Sequence, residues 1–278
     1  MNDFSQYVPN VTFEQIPIKN LVANQEYQRN LSFKHVEKAA KDFNLYQINP
    51  VKVSRRDGVN YVFNGQHTIE IVALVSGSRD TPVWCMVYDD LYYEEEADIF
   101  ANQLKYTRPL APYEIFMANI EAGNDRQLII KELIESYGMF ISPRPCTGGI
   151  CAVGALEFIY NKYGLSNLQR TLNLCIGTWE GERDAFSANM LKAVALIVSE
   201  FDKALKDDIF KSKLGKVSVK EISRAAAERR NGTSGYADAI MTYYNKRMKV
   251  PLHSDKITRK MVIYSVSEIK ESMSGSDF

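Results

Sequence analysis

Residues 51–76 constrain the fold of this chain more than any other stretch. Val51–Ser54 alternates apolar and polar residues, Arg56-Asp57-Gly58 supplies a turn, and Tyr61–Phe63 is again strand-like. An Asp-Gly turn between two such runs predicts a β-hairpin. The second strand runs without a linker into Asn64-Gly65-Gln66-His67-Thr68. An apolar helical run follows at once: Ile69, Ile71, Val72, Ala73 and Val75. A glycine between strand and helix lets the backbone bend sharply without a Cβ clash. The helix start leaves several N–H groups unpaired and carries partial positive charge, which suits a phosphate or another anion. The same residues are also what a plain capped helix start requires. The chain contains no G-x-x-x-x-G-K-S/T loop.

The flanking segments extend the pattern. Phe13–Leu21, with Pro17 inside it, reads as a short edge strand. Ser32 is a candidate N-cap, and Val36, Ala39, Ala40 and Phe43 follow at helical spacing, predicting a helix over 32–43. Gly77 closes the second helix. Pro82–Tyr88 is a short aromatic and β-branched strand, and Glu94–Gln103 returns to helix. From Pro112 onward helical spacing dominates, over 112–122, 125–137, 149–163, 167–174, 184–205, 218–230 and 237–247. Segment 139–149 interrupts it, as either a short β excursion or an exposed loop. The expected class is therefore α+β. A second segment of 125–141 invites a helix-turn-helix reading, but Pro143 and Pro145 would break its recognition helix.

Charge is distributed unevenly although it sums to zero over 278 residues. Residues 1–106 carry 10 Lys/Arg against 14 Asp/Glu, whereas 206–260 carries 14 against 6. That basic stretch is either a phosphate-contacting surface or a solvated helix face. Arg224, Arg229, Arg230, Lys246 and Arg247 are its nucleic-acid candidates. No apolar run approaches the ~20 residues of a membrane span. Met1–Asn10 lacks the pattern of a secretory leader, so a cytoplasmic setting is expected. The four cysteines form no C-x-x-C pair, and no zinc site is expected. Glu94-Glu95-Glu96 is read as a solvated first turn rather than a metal site, because consecutive helical carboxylates point in different directions.

Four segments, in order, resemble the ParB/sulfiredoxin-like superfamily. Tyr27-Gln28-Arg29 resembles its early Q-x-R loop. Ile48-Asn49-Pro50-Val51-Lys52-Val53 resembles its Q-P-I-x-V strand entry, with Asn49 in place of the usual glutamine. Tyr61–Ala73 resembles Y-x-I-x-x-G-E/H-R-R-x-x-A, one residue shorter before the glycine. Asn102 with Leu110-x-Pro112-x-Glu114 resembles E-N-x-x-R-x-x-L-x-P-x-E, with the Asn–Leu spacing two residues longer. The wording NGQHT further resembles the D-G-Q-H-R form of phage and mobile-element relatives.

The resemblance implies a ParB/sulfiredoxin-like nucleotide-binding domain with a small mixed sheet over 1–110, an all-α domain over 111–264 and a tail over 265–278. It implies a pocket for CTP or ATP with Mg2+. Gly65, Gln66, His67 and Thr68 would surround the phosphates, Gln28, Arg29 and Asn49 would approach from other segments, and Asn102 would lie on the metal side. Thr68 stands where the family usually has Arg, which removes a bidentate phosphate grip. The sulfiredoxin cysteine is missing from the 64–68 loop, and Cys85 reads as a packing residue.

Three functions follow as expectations. The first is a nucleotide-binding, DNA-associated protein of a phage, plasmid or integrative element, possible as a homodimer. The second is a metal-dependent nucleotidase, phosphotransferase or nuclease, with His67 and Glu70 as catalytic residues and Asn102 at the metal. The third is a structural protein with a vestigial pocket.

Overall fold

The computed structural model describes residues 7–23, 26–229, 232–255 and 257. Arg230 and the tail over 265–278 therefore lie outside the described residues. The chain divides into two compact units, Met1–Pro109 and Leu110–Phe278.

The first unit is built on a five-stranded mixed sheet. Its strands are β1 (Thr12–Pro17), β2 (Leu21–Val22), β3 (Val51–Arg56), β4 (Val59–Asn64) and β5 (Pro82–Tyr88), in spatial order β1-β5-β3-β4-β2. β1 and β5 are antiparallel, β5 and β3 parallel, β3 and β4 antiparallel, and β4 and β2 parallel. The β3–β4 turn places Asp57 and Gly58 both at positive φ (52° and 76°). That is the backbone of a two-residue primed turn, and it explains why Asp-Gly stands there.

Helix α1 (Phe33–Lys41) starts at Ser32, whose hydroxyl accepts from the His35 N–H. Helix α2 (Gln66–Ser76) lies between β4 and β5, and α3 (Tyr93–Asn102) follows β5. The core is aliphatic. Val51, Val53, Val62, Ile69, Cys85 and Val87 are fully buried, on alternate strand positions and one face of α2. Cys85 is thus a packing residue, as its neighbours suggest.

The second unit is helical: α4 (Pro112–Glu121), α5 (Asp125–Ser136), α6 (Val153–Tyr163), α7 (Leu165–Trp179), α8 (Ala188–Phe201), α9 (Asp207–Leu214), α10 (Val219–Arg229) and α11 (Thr233–Asn245). Segment 139–149 is the β excursion. Phe140–Ile141 (β6) pairs in parallel with Gly149–Ile150 (β7), so no recognition helix follows Gly138.

The helix expected over 149–163 begins only at Val153, because Gly149–Ile150 is β7, and two further expectations change. The single helix expected over 184–205 is a 3-10 turn (Arg183–Phe186) and then α8, separated by Ser187 in an extended conformation (ψ 151°). Helix α9 was not expected; Phe210 and Leu214 are its buried face. Its first turn is fixed by Arg170 of α7, whose guanidinium donates to the Asp207 carboxylate and to the carbonyls of Asp202 and Leu205. Five donations from one planar group specify the approach of that loop.

Candidate functional site

The strand–glycine–helix junction has the geometry its sequence suggests. Gly65 is the N-cap of α2 at φ 110°, and no side chain caps the helix. A Cβ at this position would meet Val51 Cγ1 at 3.1 Å and Val51 Cα at 3.2 Å. Both the positive φ and the close approach to β3 demand glycine. The bend turns the first residues of α2 toward a cleft of about 160 Å³.

Gly65, Gln66, His67 and Thr68 line the cleft on one side. Gln28 and Arg29 line it from the loop before α1. Two parts of the sequence separated by more than thirty residues thus line one cleft. Arg29 is the cation among the lining residues, and the helix start adds partial positive charge. The lining includes no carboxylate. The Gln28 amide donates to the Val62 carbonyl at 2.5 Å, while its buried Oε1 has no hydrogen-bond partner among the described residues.

His67 is a hydrogen-bond acceptor here. Its Nε2 accepts the Ser32 N–H at 3.2 Å, and its ring meets the His35 ring edge-on at 5.4 Å between centroids. Burial lowers its pKa, and the neighbouring His35 and Arg29 charges lower it further. A neutral imidazole with its proton on Nδ1 satisfies all of these contacts.

Three expected residues lie elsewhere. Asn102 is exposed, and its amide donates back to the Asp98 carbonyl and carboxylate at 3.0 and 2.9 Å. The neighbouring Gln103 lines the cleft instead and accepts from the Asn64 amide. One residue is about 100° on a helix, and a motif spacing two residues too long did not fix that phase. Asn49 lines adjoining grooves with Ile48 and Thr68, outside the cleft. Glu70 faces Arg79, which donates to both of its carboxylate oxygens at 3.0–3.1 Å. An i, i+4 reach from Gln66 does not carry it back over the helix start.

With Asn102 turned away, no carboxylate among the described residues lines this cleft, so a divalent cation here would depend on phosphate oxygens and neutral ligands. Among the described residues, no three His, Cys, Asp or Glu side chains converge as a metal site.

Sequence reasoning missed the support of the Gln28–Arg29 loop. Glu96, expected in a solvated turn, is fully buried. Its Oε1 pairs with Arg56 Nε at 2.8 Å, and its Oε2 accepts the Tyr27 hydroxyl at 3.2 Å. The Arg56 guanidinium lies over the Tyr61 ring at 4.3 Å. Burial, and then the Glu96 carboxylate, push the Tyr27 hydroxyl well above its usual pKa, so it stays a donor. Of the three consecutive glutamates, Glu95 caps α3 and Glu96 turns inward. The helical period could have separated their roles, but the inward partner, Arg56, lies forty residues away.

In the helical unit the described basic candidates occupy three places. Arg229 and Lys246 line a cavity of about 590 Å³ with His253 and Asp238, whose carboxylate lies 3.9 Å from Arg229 Nε. Arg224 lines a different groove with Lys220 and Asp184. Arg247 is exposed at φ 60°. Among the described residues no helix is long and apolar enough to cross a membrane.

No curated protein matches this chain. Among solved structures, the C-terminally truncated chromosome-partitioning protein ParB from Caulobacter crescentus, complexed with CTP-gamma-S, is similar at 14% identity and a TM-score of 0.35. The likeness covers 82% of this chain and 99% of that one. With a family profile matching residues 22–252, the chain belongs to the family described as a family of unknown function, DUF6551.

Proposed function

We propose that the cleft at the start of α2 binds the phosphate groups of a nucleotide, CTP or ATP. One observation carries this reading. An uncapped helix N-terminus, held open by a glycine at positive φ packed against Val51, faces the same cleft as Arg29. Unpaired N–H groups and a guanidinium are complementary to phosphate oxygens, and Arg29 stands in for the cation that Thr68 does not supply. Binding is favoured over turnover because Glu70 is paired with Arg79 outside the cleft, and among the described residues no carboxylate lines it.

A thermal-shift series with CTP, ATP, GTP and inorganic triphosphate tests it. A ligand at about 100 times its Kd raises stability by about 2.7 kcal/mol. The Arg29→Ala chain should lose most of that shift. No shift with any of the four would overturn the reading.

A second reading concerns the helical unit, which we infer contacts the backbone of DNA. Arg229, Lys246 and His253 share one cavity in which they outnumber Asp238, and this supports it. Titration of duplex DNA at rising salt should show affinity falling with ionic strength, with a shallower slope in Arg229→Ala/Lys246→Ala. Equal slopes for the variant and the parent chain would count against these residues.

A further inference from the structure

We propose that Glu96 is a positioning residue for the α2 cleft, acting through Arg56 and Tyr27 to hold Gln28 and Arg29 in place. The inference rests on reading the cleft as an anion site, and it adds the part of the molecule that preorganises it.

The chain of contacts is continuous. Glu96 has no exposed surface and joins two partners, the Arg56 guanidinium and the Tyr27 hydroxyl. Arg56 is itself held between the Tyr61 ring at 4.3 Å and the Tyr93 ring at 5.8 Å. The Tyr27 ring packs against Tyr93 at 5.4 Å and Phe100 at 5.6 Å, and Phe100 lines the cleft. The next residue, Gln28, is tied to the Val62 carbonyl of β4. Arg29 follows, exposed, with no hydrogen bond or ion pair of its own among the described residues. Its place over the cleft is therefore set by the two residues before it.

Stability alone is a poor reason for this arrangement. A buried ion pair costs desolvation that its attraction only roughly offsets, and well-packed apolar residues commonly serve as well or better. A carboxylate that pairs with a guanidinium on a strand and accepts a hydrogen bond from a loop hydroxyl instead fixes geometry. Fixing a loop before binding removes ordering entropy from the binding step.

The test uses the full chain and inorganic triphosphate as probe, followed by calorimetric titration. Tyr27→Phe deletes one hydroxyl and leaves the ring packing intact. We expect about tenfold weaker binding, the loss of one hydrogen bond to a charged group. Positioning through Arg29 makes a sharper demand: in an Arg29→Ala background the Tyr27→Phe change should have no further effect. Hydrogen exchange should rise over 26–29 and stay unchanged over α2. Glu96→Gln, which keeps the shape and removes the charge facing Arg56, should reproduce the loss. Full affinity in Tyr27→Phe, or losses that add in the double variant, would overturn the positioning role while leaving the cleft reading intact. A parent chain that binds no triphosphate overturns both.

Discussion

The Nε2 atom of His67, in the first turn of α2, accepts the backbone N–H of Ser32, the N-cap of α1, at 3.2 Å. This bond requires an unprotonated nitrogen. It ties the start of one helix to the start of another and makes the junction sensitive to protons. Because His67 has a lowered folded-state pKa, its contribution is fully present above the ordinary histidine value of about 6.5 and is lost as pH falls through the lowered value. Urea unfolding between about pH 7.5 and pH 5 should show stability falling on acidification. The fall should be shallower in His67→Ala, which has no imidazole to protonate. Parallel profiles would remove His67 from the pH response.

Gly65 is the least replaceable residue at the cleft. Gly65→Ala combines a positive φ with a Cβ at 3.1–3.2 Å from Val51. The expected cost is about 2–4 kcal/mol, read as a shifted urea midpoint with an unchanged slope. Gly58, where a Cβ would meet nothing within 4 Å, should tolerate Ala better despite its positive φ.

Arg170 should behave as a fork rather than as a charge. Arg170→Lys keeps the charge but cannot reach Asp207, Asp202 and Leu205 together. A loss of about 1–3 kcal/mol is expected, most of it recovered by no increase in salt. Unchanged stability in Arg170→Lys would mean that the ammonium suffices.

The four thiols should divide into two classes. Burial pushes Cys175 up to about 12 and Cys85 up to about 11, and both side chains are buried. Cys146 and Cys151 are half-buried. An aromatic disulfide reagent on the native chain should label the latter pair within minutes and reach all four only after unfolding, because thiolate and access are both required.

Local signals carried much of the fold. Ser32 as an N-cap, Asp57-Gly58 as the hairpin turn, Gly65 at the bend and Gly77 closing α2 all appear where the residue types place them. Each depends on the conformational preference of one or two residues and their nearest neighbours. The break at Ser187 and the existence of α9 were less legible. Their positions depend on what Phe186 and Phe210 bury against, which lies in other helices.

The candidate site divides in the same way. Short-range chemistry and motif order made the glycine bend, the helix start and the cleft-lining residues Gln28, Arg29 and Gly65–Thr68 legible from residue types alone. Three-dimensional packing was needed to show that Gln103 rather than Asn102 reaches the cleft, that Glu70 pairs with Arg79, and that Glu96 is buried beneath Tyr27. A helix's rotation about its axis and the partner of a buried charge are set by packing between segments that can lie far apart in the chain, 39 residues for Asn64 and Gln103 and 69 for Tyr27 and Glu96. No local pattern encodes that pairing.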